Sequence, residues 1–201
     1  MITHHTQLLN ALIEKYDLKS YVEVGVQSTE QNFDKIRCNY KIGIDPALMT
    51  SDKIFGFAGE MGMTSDDAFA AMLSAESIPL YDLFFLDGLH TKEQIKKDFE
   101  NSLRCLSDNG FILIHDVLPE NESGTLVPRV QRQWWGDVYK WAMDIQTYDG
   151  IIFKTFNIDN GCMLVCKDSK VKSKFQPLPT TWEGYIDYGH KLMNVTNEVT
   201  I

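Results

Sequence analysis

The 201-residue chain lacks several things that would have placed it quickly. It has no apolar run of the roughly 20 residues that a membrane-spanning helix needs, so a membrane partner is not expected. Lysine and arginine number 19 against 28 aspartate and glutamate, a formal net charge of -9. No basic run offsets that charge, which argues against a phosphate-backbone partner such as nucleic acid. Cysteine is sparse: Cys38, Cys105, Cys162 and Cys166 contain no Cys-x-x-Cys pair. That argues against a disulfide framework and fits free thiols in a reducing cytoplasm. Cys162 and Cys166 fall on one face of a predicted strand, where core packing suits them better than metal binding. The opening Met1-Ile2-Thr3-His4-His5 has neither the basic nor the apolar region of a signal peptide, so the expected location is cytoplasmic. There is no G-x-G-x-x-G, which argues against a nicotinamide dehydrogenase, and no internal repeat or low-complexity segment.

What is present reads as an ordinary globular chain, 44% hydrophobic, long enough for one domain with a good core. Strands are expected at Tyr21 to Val24, Tyr40 to Ile44, weakly near Ile54 to Phe57, Asp82 to Leu86 and Phe111 to His115. Helical patterns lie between them: Thr6 to Tyr16 before the first strand, a helix around Glu30 to Ile36, one capped by Thr64 or Ser65 and running to about Ser74, and Thr91 to Leu106 with the stripe Ile95, Phe99, Leu103 and Leu106. Ala58 to Met63 looks like a loop, Asn109-Gly110 a turn, and Gln133 to Met143 a helix carrying three tryptophans. Ile151 to Phe156 and Gly161 to Cys166 form a hairpin around Asp159-Asn160-Gly161. The order predicts an α/β fold: a doubly wound, Rossmann-like, mostly parallel seven-stranded sheet with a C-terminal antiparallel hairpin. Residues 1–166 would be the domain, and 167–201 a tail, with a helix from Trp182 to Met193 packed on it.

Two apolar runs carry the strongest hint of chemistry. Leu83-Phe84-Phe85-Leu86 ends in Asp87-Gly88-Leu89-His90, and Phe111-Ile112-Leu113-Ile114 ends in His115-Asp116. Such runs read as buried parallel strands, and ligands in open α/β sheets bind at the carboxyl ends of strands. Asp87, His115 and Asp116 could hold a divalent ion, and His90 suits a general base. Helix capping by the acids and plain loop hydrogen bonds for the histidines are the duller alternatives. Upstream, Glu23-Val24-Gly25-Val26-Gln27-Ser28-Thr29 places a glycine after a strand, where backbone can approach a ligand. Asp45, about twenty residues on, could accept both hydroxyls of a ribose. Trp135, Val138 and Trp141 read as core, whereas Trp134, Asp137 and Lys140 are candidates for substrate contact.

With those residues in view, the sequence resembles the class I S-adenosylmethionine-dependent methyltransferases from Tyr21 to about Cys166. Val22-Glu23-Val24-Gly25 is similar to their first motif, and Ile42-Gly43-Ile44-Asp45-Pro46 to the second, whose acid binds ribose. Met63-Thr64-Ser65-Asp66-Asp67 lies where the adenine side is usually formed. Asp87-Gly88-Leu89-His90 and Ile114-His115-Asp116 resemble a small O-methyltransferase-like subgroup with an Asp-Gly-x-His strand end, often associated with sugar modification. The layout is also similar to catechol O-methyltransferase, a magnesium enzyme, with Asp87 at the first acid, His90 at the base and His115-Asp116 at the last pair. Thr29 replaces a glycine of the first motif, and His115 replaces a carboxylate.

The resemblance implies an enzyme that methylates a hydroxyl of a small acceptor such as a sugar. Glu23, Gly25, Gln27, Ser28, Asp45, Asp66 and Asp87 would bind S-adenosylmethionine. His90 and Asp87 would be catalytic, and Asp87, His115 and Asp116 would hold magnesium or manganese, with homo-oligomers a further option. Two alternatives stay open: a metal-dependent hydroxylase-like enzyme on the same fold, and a non-catalytic module binding nucleoside ligands.

Overall fold

A computed structural model of the chain describes residues 1–46, 59–173 and 178–201. The expected weak strand near Ile54 to Phe57 lies outside the described residues. Helix α1 (His5–Tyr16) leads into β1 (Ser20–Val24) and β2 (Tyr40–Ile44). Then come β3 (Gly59–Met61), α2 (Ser65–Leu73), β4 (Tyr81–Leu86), α3 (Lys92–Cys105), β5 (Leu106–Ile114), α4 (Val138–Asp144), β6 (Ile151–Phe156) and β7 (Cys162–Lys167). Among the described residues the sheet order is β3-β2-β1-β4-β5-β7-β6 with a two-residue edge strand, β8 (Val195–Thr196), beside β6. The five strands from β3 to β5 are parallel, and β7 runs antiparallel to both β5 and β6. This is the predicted Rossmann-like sheet of seven strands with its hairpin, and β8, parallel to β6, adds an edge from the tail.

Burial follows the period of two along a strand. Phe84 and Leu86 join one core with Phe69, Phe99 and Trp141 from the helices. Leu83 and Phe85 join the other, against Leu8, Leu9 and Leu12 of α1. With both faces covered, the central strands must be apolar throughout. Apart from Glu23 within β1, the polar residues proposed for chemistry stand just beyond the strand ends.

Several expected boundaries move, each for a local reason. The helix around Glu30 to Ile36 is a single 3-10 turn, Phe33–Lys35. Within the stretch expected to be a loop before Thr64, Gly59–Met61 instead extends the sheet beside β2. Leu106 leaves the α3 stripe to pair with Tyr81, and the register then jumps to Leu83 with Phe111. Asn109-Gly110 therefore lies within an irregular stretch of β5 rather than in a turn before it. The helix expected from Gln133 starts only at Val138, because Gly136 takes a left-handed φ of 62°. Trp134 and Trp135 thus precede it. The C-terminal helical stretch is split into Trp182–Gly184, a π-turn Tyr185–Gly189 and His190–Leu192. Among the described residues, no helix is long and apolar enough to cross a membrane.

The chain turns back between β1 and β4: β2 and β3 extend the sheet one way and β5 the other. Such a reversal opens a crevice at the strand ends. Gly25 sits there with φ +91°, and a Cβ on it would lie 2.0 Å from the Asp87 carbonyl oxygen. Gly25→Ala is expected to lower stability by about 2 kcal/mol or more, from clash plus strain. Gly150→Ala, with a positive φ but open space around it, is expected to cost about 1 kcal/mol or less. Urea unfolding of both variants checks the order, and the reverse order would contradict the proposed close approach.

Candidate active site

Each of the three central strands carries its hydrogen bonding one residue beyond its end. Gly25 N–H donates to Ile44 O (2.8 Å), Asp87 N–H to Val24 O (2.9 Å), and His115 N–H to Leu86 O (3.1 Å). That staircase sets Gly25, Asp87 and His115 side by side along one rim. Asp116 then takes a left-handed φ of 58°, which turns the chain away from the sheet.

The strand-end residues meet as the sequence leads one to expect. His90 Nε2 is 3.4 Å from Asp87 Oδ1, and its Nδ1 is 3.2 Å from Asp116 Oδ2. His115 Nδ1 is 3.2 Å from Asp87 Oδ1 and 3.4 Å from Asp116 Oδ1. Asp87, His90 and Asp116 each bring a donor atom within 4.8 Å of the others. Burial opposes the charge on every member of this group. At Asp87 the two imidazoles outweigh burial, and its carboxyl is held well below the usual range. Asp116 is raised, by burial first and with the Asp87 charge adding to it. Burial alone would lower both histidines, but the facing carboxylates override it, so His90 is raised and His115 strongly so.

Sequence reasoning missed a second layer. Asp159, read as a hairpin turn residue, accepts the backbone N–H of His5 at 2.9 Å and stands 3.6 Å from His115 Nε2. His5 stacks on Phe85 and meets the His115 ring edge-on. Asp159 sits in a hairpin turn, with φ 47°, and His5 starts α1. Neither says in sequence that two distant segments converge.

A cavity of about 740 Å³ opens beside the rim, within the range of small-molecule sites. Glu23, Gly25, Gln27, Asp45, Asp66, Asp87 and His90 line it, whereas Ser28, His115 and Asp116 do not. The last two instead contact Asp87 and His90. Glu23 is buried and accepts from Tyr21 Oη (2.6 Å) and Asn32 Nδ2 (2.9 Å). Burial, only partly offset by those bonds, raises its carboxyl to about 7. Asp45 Oδ2 accepts the Gln27 N–H at 2.8 Å. Asp66 is held by Gln94 and Lys97 of α3, so its carboxylate bounds the cavity from a fixed position.

The far wall is locked to His90. A Cβ on Gly136 would fall 1.7 Å from the His90 carbonyl oxygen, so glycine is needed for that approach. Trp134 stacks on the His90 ring at 5.4 Å and lines the cavity with Arg129. Trp135 and Trp141 are buried, as expected of core residues. Asp137 instead accepts the Lys92 N–H and pairs with Lys140, so these two brace the wall and do not line the cavity.

A family model described as "Methyltransferase domain" matches residues 47–117. No curated protein matches the chain. Solved structures with the same fold include an O-methyltransferase from Streptomyces achromogenes involved in tomaymycin synthesis, in complex with SAM. It is 11% identical with TM-score 0.59, over 82% of this chain and 79% of that one. A SAH-bound methyltransferase from Podospora anserina is 14% identical with TM-score 0.61, over 82% and 78%. The MycE methyltransferase of the mycinamycin pathway, in complex with Mg, SAH and mycinamycin VI, is 13% identical with TM-score 0.54. That match covers 88% of this chain and 51% of that one. The chain thus has the Rossmann-like fold of these methyltransferases, with a methyltransferase-domain match spanning β3, α2, β4, α3 and β5.

Proposed function

We propose that the protein transfers the methyl group of S-adenosylmethionine to a hydroxyl of a small acceptor, with a sugar as the first class to try. One observation carries this reading: Asp87 and His90 of the β4 end, backed by His115 and Asp116, open on the same cavity as Glu23 and Asp45. The neighbours that hold SAM or SAH on this fold support it.

The cofactor would supply an electrophilic methyl group on a sulfonium. The ammonium of its zwitterionic amino-acid end suits the carboxylates of Glu23 and Asp87, and its carboxylate the loop of Gly25, Gln27 and Ser28. Its ribose suits Asp45, and its adenine the side near Asp66. His90, held by Asp87 and Asp116, would accept the acceptor's hydroxyl proton, and Trp134 would wall the acceptor. Holding donor and oxygen in line would supply much of the rate.

Magnesium or manganese was expected at Asp87, His115 and Asp116. Among the described residues, the rim donors that lie within 4.8 Å of one another are Asp87, His90 and Asp116, so an ion there would take His90 in place of His115. A ligated His90 cannot also be the base. We assign it the base role, for which chelator treatment should leave the rate unchanged. A loss that Mg²⁺ or Mn²⁺ restores would replace that role with ligation.

Calorimetric titration of the whole chain with S-adenosylmethionine is expected to give saturable heat. A folded protein giving none at high micromolar cofactor would end this reading. His90→Ala should lower turnover about 10²- to 10⁴-fold, judged by SAH formation over a panel of sugars and catechols, with cofactor affinity little changed. Because His90 is raised, the rate should climb with pH above the ordinary histidine value of about 6.5.

Glu23 yields a separate test. Its carboxyl, at about 7 when folded against a usual 4.5, is mostly protonated at pH 6 and must ionise to pair with the cofactor's ammonium. Cofactor affinity should therefore fall about tenfold from pH 8 to pH 6, and Glu23→Gln should be weak and flat across that range. For the unliganded protein the sign reverses. The folded state keeps a proton that the unfolded state gives up, so stability is lost as pH rises from about 5 through 7. Glu23→Gln should remove that slope in pH-dependent thermal melts.

A further inference from the structure

We propose that His5, His115, Asp159 and Cys162 form a binding site for a divalent transition-metal ion of the zinc class, separate from the Asp87 and Asp116 pair. Two donor groups meet at Asp159: one with His4 and His5, the other with His115 and Cys162. Within each group the donor atoms lie within 4.8 Å of one another. In a tetrahedral site with metal–nitrogen bonds of about 2.0 Å, donors stand roughly 3.3 Å apart, so closure on an ion needs shifts of about 1 Å.

The unsatisfied atoms point the same way. His115 Nε2 and His5 Nδ1 are buried and have no hydrogen-bond partner. Yet both face Asp159 Oδ2, at 3.6 and 2.5 Å. The His115 side chain is only 8% exposed. Its other nitrogen, Nδ1, lies 3.2 Å from Asp87 Oδ1. On binding, the proton that Nε2 holds toward Asp159 would leave to solvent and free that lone pair for the ion, with Nδ1 still held at Asp87, which is the way a carboxylate commonly orients a metal-bound imidazole. Asp159 is itself anchored by the His5 N–H. With those protons displaced, the two imidazoles and the carboxylate are electron-pair donors converging on one point, and a cation there satisfies all three.

His4 is left out because its Nδ1 accepts the Thr6 N–H as the cap of α1, and its side chain is half exposed. A neutral imidazole with that bond carries its proton on Nε2 and has no second lone pair for a metal. Cys162 completes the set from β7 and is fully buried. On binding, its thiol proton would leave to solvent and the thiolate sulfur would take the ion. Two imidazoles, a thiolate and a carboxylate select zinc, cobalt or iron over magnesium or calcium.

This site does not rest on the methyltransferase reading, and its test needs no cofactor. The whole chain, stripped with a chelator, is titrated with Co²⁺. The expected result is one equivalent bound, with the visible bands of tetrahedral cobalt, a thiolate-to-cobalt charge-transfer band, and displacement by Zn²⁺. Cys162→Ser should abolish the charge-transfer band. His5→Gln and Asp159→Asn should weaken binding about tenfold or more, and Asp116→Asn by no more than about twofold. Absence of a tetrahedral spectrum would overturn the proposal. So would loss of binding in Asp116→Asn with retention in His5→Gln, which would put the ion at the strand-end pair. If Asp159→Asn does not fold, His5→Gln and Cys162→Ser decide the matter.

Discussion

The imidazole of His115 is the contact on which the site depends. One nitrogen faces Asp87 and Asp116, and the other faces Asp159. A buried carboxylate without a partner costs several kcal/mol, even after the protein relaxes around it. Three of them within reach of one ring are tolerable only if positive charge is shared among them. That requirement ties together parts of the chain that packing alone would leave independent. Asp87 comes from β4, His115 and Asp116 from β5, Asp159 from the hairpin and His5 from the first helix. Moving any one of them away leaves the others unbalanced.

Backbone proximity makes this cluster affordable in space. The strands β1, β4 and β5 pass their hydrogen bonding one residue past their ends, so the polar residues inherit the rigidity of a sheet buried on both faces. Gly25 lets β1 come against the Asp87 carbonyl, and Gly136 lets the far wall come against the His90 carbonyl. A side chain at either position would force apart the surfaces that define the cavity. The left-handed residues Gln27, Asp116 and Asp159 fall at the same end of the sheet. Unfavourable backbone is thus concentrated where function is expected to need geometry more than stability.

The sheet was legible in the sequence because its signals are local. Leu83 to Leu86 and Ile112 to Ile114 are apolar on both faces, and each stops abruptly in an acid or histidine. The clustering of Asp87, His90, His115 and Asp116 followed from that pattern and parallel pairing. Boundaries failed where one residue overrode a period: Gly136 postponed a helix, and Leu106 left a helical stripe to enter a strand. The partnership of His5 with Asp159 had no local signal. It joins positions 154 apart, and each has an ordinary explanation in its own neighbourhood, one as a helix start and the other as a turn. Ser28, expected in the cofactor loop from its motif, is not among the residues lining the cavity.

The contribution of His5 changes what α1 is for. Its buried face, Leu8, Leu9, Leu12 and Ile13, would suffice to hold it on the sheet as a covering layer. But its first residue also donates a backbone N–H to Asp159, and its ring packs on Phe85 and His115. Asn32, which holds Glu23, is in turn bonded by Thr6 of the same helix. One helical turn therefore touches the imidazole cluster directly and reaches the carboxylate proposed for the cofactor through Asn32. To the extent that docking of α1 sets the position of Glu23 or His115, a ligand bound there favours docking by the same factor by which docking favours the ligand. Helix docking and site assembly are then linked.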